Sequence, residues 1–187
     1  MADHICPPWV GRLLLSPLRS LFENPKKILG PFVREGMVVL EPGCAMGYFT
    51  LPLARMVGSD GKVIAVDIQP EMLASLDKRA RKAGLTDRID IREAGPEGLG
   101  IEDVAQSADF CTLIHVAHEV PDQNRLFSEI SCTLKPGGKL LVIEPGWHVT
   151  EEGFELSLSA ASAAGLRRID SSAVQGARKA LFERTDP

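Results

Sequence analysis

The chain has 187 residues, 44% of them hydrophobic, with a formal net charge of -4 and a pI near 5.6. That length suits one compact domain and is too short for two full-sized ones, so a single domain over residues 1–187 is expected, with 1–34 as an N-terminal helical segment and 35–187 as its core. The acidic balance argues against a general electrostatic footprint for nucleic acid or for an anionic membrane, and so favours small-molecule ligands.

Near the N-terminus, Trp9, Leu13, Leu14, Leu18, Leu21 and Phe22 suggest an amphipathic segment that packs at a sheet edge or covers a site. Arg12 and Pro17 interrupt the short run Leu13-Leu14-Leu15, and Asp3 replaces the basic start of a signal peptide. No stretch reaches the length of a membrane span. The cysteines at 6, 44, 111 and 132 show neither C-x-x-C spacing nor histidines at zinc-ligand intervals. Reduced thiols in a cytoplasmic protein, buried as small hydrophobes, are expected.

Asn24-Pro25 predicts a helix start running to about Val33. From Met37 onward, strand-like runs alternate with helical patterns, the mark of a parallel sheet with crossover helices. Met37 to Leu40 and Lys62 to Asp67 read as buried strands. Met72, Leu73, Leu76, Ala80 and Ala83 keep helical spacing between Pro70 and a stop at Gly84. Ile89 to Ile91 and Asp109 to Val116 read as two more strands. Asp122 caps a helix carrying Leu126, Phe127, Ile130 and Leu134, and Lys135-Pro136-Gly137-Gly138 turns the chain into the strand 139–143. Thr150 with Glu151 and Glu152 starts a further helix, since acidic side chains suit its positive end. Leu166 to Ile169 and Ala180 to Phe182 read as closing strands.

In open α/β sheets, ligands bind beyond the carboxyl ends of the strands. That rule selects Glu41 to Gly47, Asp67, Glu93 to Leu99, His115 to Glu119 and Glu144 to His148. Gly43 and Gly47 let the backbone turn sharply and approach a ligand, and Ala45 still permits close approach. Asp67, about 20 residues further on, can accept hydrogen bonds from both hydroxyls of an adenosine ribose. A dinucleotide loop offers G-x-G-x-x-G to a pyrophosphate, whereas this loop lacks that spacing and opens with Glu41. An anion there repels a pyrophosphate and favours a cationic ligand.

Val38 to Gly47, with the core Glu41-Pro42-Gly43-Cys44-Ala45-Met46-Gly47, resembles the first motif of the class I S-adenosylmethionine (SAM)-dependent methyltransferases. Val66-Asp67-Ile68 and Leu134-Lys135-Pro136-Gly137-Gly138 resemble two further motifs in the family's order, and the flavour is that of the group including ubiquinone-biosynthesis methyltransferases. Ala45 departs from the usual glycine. The resemblance implies a single Rossmann-like three-layer α/β/α domain, with a mostly parallel seven-stranded sheet whose antiparallel last strand lies between strands five and six. It implies SAM as cofactor and S-adenosylhomocysteine as product. It also implies Glu41 and Gly43 near the methionine part, Asp67 on the ribose, Ile68 and Met72 against the adenine, Glu93 and Ala94 at the adenine edge, and Cys44, Ala45, Gly47 and His115 at the cofactor. Core packing is the other reading of Ile68 and Met72.

Methyl transfer is an in-line displacement, so alignment is the enzyme's main task and a base is optional. If the acceptor is a hydroxyl or amine, His115, His118 or Glu119 is placed to take its proton. The alternatives are a wall residue for His115 and a solvated loop for His118 and Glu119. The same three residues have a spacing permissive for a metal, although the family works without one and none is expected. The expected partner is a small-molecule acceptor, with no nucleic acid and no membrane. A non-catalytic SAM-binding protein is the alternative. A nicotinamide oxidoreductase is less favoured, because the single tyrosine, Tyr48, has no lysine four positions on.

Overall fold

The computed structural model describes residues 23–170 and 177–185. The amphipathic segment from Trp9 to Phe22, and Cys6, lie outside them. The chain divides into two compact units, residues 1–95 and 96–187.

The first unit opens with α1 (Pro25–Leu29), whose amides of Lys26 and Lys27 are capped by the Asn24 side chain. The helix is shorter than the expected run to Val33. Pro31 has no N–H to continue the ladder, and the chain turns instead, with Phe32 and Val33 both donating to the Leu29 carbonyl. β1 (Val38–Pro42), β2 (Lys62–Asp67) and β3 (Ile89–Glu93) then pair in parallel in the order β3-β2-β1. Their registers, Glu41↔Ala65 and Asp67↔Glu93, bring the carboxyl ends of the strands level. Continuous burial along β1 and β2 explains why both read as unbroken apolar runs.

Between them lie α2 (Thr50–Met56) and α3 (Pro70–Ala83). α3 matches the sequence at both ends. Pro70 sits in its first turn, and Gly84 closes it in the left-handed conformation (φ 65°) with its N–H on the Ala80 carbonyl. Met72, Leu73, Leu76 and Ala80 are its buried face. The short α2 was not expected, because seven residues including Pro52 carry little helical periodicity.

In the second unit, β4 (Ala108–Ile114) pairs in parallel with β5 (Leu134–Pro145), and β7 (Ala177–Arg184) lies antiparallel between β5 and β6 (Leu166–Asp170). The Lys-Pro-Gly-Gly turn interrupts β5 rather than preceding it. Leu134 already pairs with Ala108, residues 135–138 loop out with Gly137 at φ 74°, and pairing resumes at Phe110↔Lys139. β4 stops two residues before the expected Val116, because His115 adopts φ 60°. α4 (Gln123–Thr133) begins at the Asp122 cap, whose carboxylate accepts from the Arg125 amide, and buries Leu126, Phe127 and Ile130. α5 (Glu151–Ala163) begins at Thr150, whose hydroxyl accepts from the Gly153 amide. The described residues thus carry seven strands, mostly parallel, with an antiparallel last strand inserted beside the fifth, as the sequence implied.

Candidate functional site

In the first unit, the loop after β1 is built around Asp67. One of its carboxylate oxygens accepts from the Ala45 amide at 2.8 Å and the other from the Gln69 amide at 2.9 Å, so a single side chain ties the end of β2 to the glycine loop. Burial pushes the Asp67 carboxyl above its ordinary range, and the backbone donors pull it part of the way back. Cys44 donates its N–H to the Val66 carbonyl, and Ala94 donates to that of Asp67. The loop therefore hangs from β2, and the segment after β3 hangs from its last residue.

Gly43, Ala45 and Gly47 take φ values of 70°, 46° and 82°. A Cβ on Gly47 would come within 2.4 Å of Leu76 Cδ1, which is why α3 can pack so closely under the loop. Ala45 occupies a left-handed conformation that costs an L-residue about 1 kcal/mol, offset here by its hydrogen bond to Asp67. Ala45→Gly is accordingly expected to raise stability in denaturant unfolding by about 0.5 kcal/mol, the relief being partly cancelled by the freer unfolded chain. A loss of stability would show that the loop conformation carries no strain.

Glu41 is a strand residue rather than a loop residue, and it is almost wholly buried. Its Oε2 has no hydrogen-bond partner, nor has the Oγ1 of fully buried Thr50. Desolvation pushes the Glu41 carboxyl up to about 8. The Thr50 hydroxyl offsets part of this from outside hydrogen-bond geometry, and the nearby charge of Asp67 adds to it. Burial, Glu41 and Asp67 together raise the Cys44 thiol well above its usual range, so Cys44 remains a protonated, apolar wall.

The two residues expected at the adenine part company. Met72 is 1% exposed and belongs to the core, whereas Ile68, next to Asp67, is 49% exposed. Glu93 ends β3 with its side chain exposed, and Ala94 is half-buried beside it. Arg79 escaped the sequence reading. Its guanidinium donates to the Met46 carbonyl and braces the loop from α3. Only the fold brings together two residues 33 positions apart; locally Arg79 is one more cation on a helix.

The candidate proton acceptors lie in the second unit. His115, at the end of β4, donates its amide to the Ile143 carbonyl at 2.8 Å. His118 lies in the 3-10 turn Ala117–Glu119, with its Nδ1 hydrogen-bonded to Glu144 Oε2. The other oxygen of Glu144, at the end of β5, accepts from the Ala117 amide at 2.8 Å. Glu119 is half-buried and ends the same turn, its amide donating to the Val116 carbonyl at 2.9 Å. Among the described residues no group of three histidines, cysteines or acids converges on a point that holds a metal, so the triad His115, His118 and Glu119 does not assemble. Glu144 was missed as a partner. Its one sequence signal is an acid directly after the apolar run of β5. The thiols also differ from expectation, since Cys44 and Cys111 are buried but Cys132 is exposed on α4.

The family model for the methyltransferase domain matches residues 40–142, more than half of the chain. The chain belongs to the class I SAM-dependent methyltransferase family. SAM is the cofactor of that family. Over 112 residues the chain is 34% identical to the demethylmenaquinone methyltransferase of Lactobacillus johnsonii, covering 60% of this chain and 45% of that protein. It is 32% identical to the ubiquinone/menaquinone biosynthesis C-methyltransferase UbiE of Escherichia coli O1:K1, with 60% and 44% covered. The chain therefore spans less than half the length of these curated relatives. In fold it resembles a SAM-dependent methyltransferase from Aquifex aeolicus, with a TM-score of 0.85 and 24% identity over 97% of this chain and all of that one. Among the described residues no helix is long and apolar enough to cross a membrane.

Proposed function

We propose that this chain transfers a methyl group from SAM to a small-molecule acceptor in the cytoplasm, with the cofactor held in the first unit. When bound, SAM supplies a methyl on a cationic sulfonium, which makes the carbon electrophilic and the thioether a good leaving group. The chain's own contribution is binding and alignment. Glu41 faces the cationic amino end of the methionine part. The backbone from Gly43 to Gly47, with Cys44 and Ala45, lies along it, Asp67 accepts from the ribose hydroxyls, Ile68 covers one face of the adenine, and Glu93 and Ala94 border its edge.

The observation that carries this reading is the buried, unpartnered oxygen of Glu41. A buried carboxyl oxygen without a donor is costly, and a cationic ligand removes the cost. Asp67 retains accepting lone pairs beyond the two amides it already serves. Ile68, exposed beside it, offers an apolar surface that the core does not use. The names of the relatives, which describe methyl transfer to quinone-type compounds, support a small-molecule acceptor.

Calorimetric titration with SAM, S-adenosylhomocysteine and NAD tests the reading. Saturable binding of both adenosyl ligands with little or no NAD binding is expected, because a pyrophosphate offers the buried Glu41 carboxyl no cationic partner. Tighter binding of NAD than of either would overturn it.

A further inference from the structure

Among the described residues, three buried side-chain oxygens make no hydrogen bond: Glu41 Oε2, Thr50 Oγ1 and Thr112 Oγ1. Thr112 lies within β4 of the second unit, whereas the other two lie together in the first, at the end of β1 and the start of α2. Thr50 is fully buried, and the glycine loop turns directly over it, since a Cβ on Gly47 would stand 3.5 Å from both Cβ and Oγ1 of Thr50. A helical threonine commonly satisfies its hydroxyl on the carbonyl three or four residues back. Thr50 does not, and its hydroxyl acts instead on the Glu41 carboxyl. The other titratable groups about Glu41 are Asp67 from the end of β2 and the Cys44 thiol of the loop, while Arg79 reaches the Met46 carbonyl of that loop from α3.

A hydroxyl donates more strongly to a carboxylate than to a carboxylic acid, because the ionised group carries full negative charge and accepting lone pairs on both oxygens. While Glu41 holds its proton, a donor at Thr50 contributes little. Once the carboxyl ionises, the same hydroxyl becomes a charge-assisted donor, and lone pairs remain for a cation as well. The two orphaned groups are thus arranged for the ionised state of Glu41.

We propose that Thr50 is a positioning residue for the cationic amino end of the cofactor: its hydroxyl donates to Glu41 and holds it as a carboxylate facing the ligand's ammonium. The inference rests on the assignment of Glu41 above and adds the group that keeps it ionised. On binding, the Glu41 proton leaves to solvent, its bonding pair stays on the carboxylate, and the Thr50 O–H turns onto the charge so formed. Thr50 is fully buried and acts through Glu41. Its contribution to affinity therefore depends on pH. Below about pH 8 the free chain still holds the proton, so binding gains the new hydrogen bond. Above that pH the bond is already made in the free chain, and binding gains nothing from it.

The test measures the Kd of S-adenosylhomocysteine, which carries the same amino group, by equilibrium dialysis against wild type, Thr50→Val and Thr50→Ser. Dividing each variant's Kd by that of wild type at the same pH removes the titration of the ligand itself. For T50V the ratio is expected to be about tenfold near pH 7 and to shrink to about twofold or less near pH 9.5. T50S, which keeps the hydroxyl, should stay within about twofold throughout. Valine keeps the shape of the side chain and serine keeps its donor, so a packing defect moves both variants alike at every pH. A T50V ratio that does not change with pH, an unchanged Kd near neutrality, or a serine that fails to restore binding would each overturn the proposal. Glu41→Gln, measured alongside, separates the two readings. Weaker binding in E41Q with a flat T50V ratio would overturn the role of Thr50 alone, whereas wild-type binding in E41Q would overturn the Glu41 assignment and this role with it.

Discussion

Replacing Asp67 with alanine is expected to weaken SAM binding by about 2 to 3 kcal/mol, or roughly a hundredfold in Kd. Two effects add. On the proposed assignment the ribose hydroxyls lose a charged acceptor, and hydrogen bonds to charged groups are the strong ones. The Ala45 and Gln69 amides also lose theirs, so the glycine loop is released from β2 and its left-handed residues are no longer held. Asp67→Asn keeps one accepting oxygen and should fall between wild type and alanine. Calorimetry on variants shown by circular dichroism to be folded measures the effect, and unchanged affinity in Asp67→Ala would place the ribose elsewhere.

The second large effect concerns Glu41 and pH. Its carboxyl titrates at about 8 in the folded chain against an ordinary value of 4.5, so the native state holds this proton more tightly than the unfolded one. The Glu41 contribution is most favourable below about pH 4.5 and is lost as pH rises towards about 8, amounting to a few kcal/mol across that window. Asp67 is raised by burial in the same sense and adds to the decline. Glu41→Gln should flatten much of it in denaturant unfolding followed against pH.

A cationic ligand reverses the balance, since it favours the carboxylate. SAM binding below about pH 8 is therefore expected to release a proton from Glu41, visible as a dependence of the calorimetric enthalpy on the ionisation heat of the buffer. In Glu41→Gln that release should vanish and affinity should drop. Equal proton release in both proteins would mean that Glu41 does not face the cofactor's cation.

These expectations differ in how far the sequence foreshadows them. The helix from Pro70 to Gly84 is legible at both ends because its signals are local: a proline in the first turn, a 3.6-residue apolar period and a left-handed glycine. Asp67 is legible because a strand ending in an acid after a glycine loop carries a chemical reason at fixed spacing. The separation of Ile68 from Met72 is not, because two apolar neighbours of one turn differ only in what the sheet and helix cover. Nor is the boundary of β1, where Glu41 sits inside the strand and owes its raised pKa to burial that no local pattern records.

By itself, then, the sequence determined the alternation of strands and helices, the loop from Glu41 to Gly47, the acid at the end of β2 and the family they signal. Each rests on interactions within a few turns or on spacing along one strand. Tertiary structure alone decided that Arg79 braces Met46, that Ala45 is held left-handed by Asp67, and that His118 meets Glu144. The last pair lies 26 residues apart, and the register of β4 on β5, with Ile114 opposite Ile143, brings it together. Register is set by the burial of whole strands, and a residue's own neighbours in sequence carry no record of it.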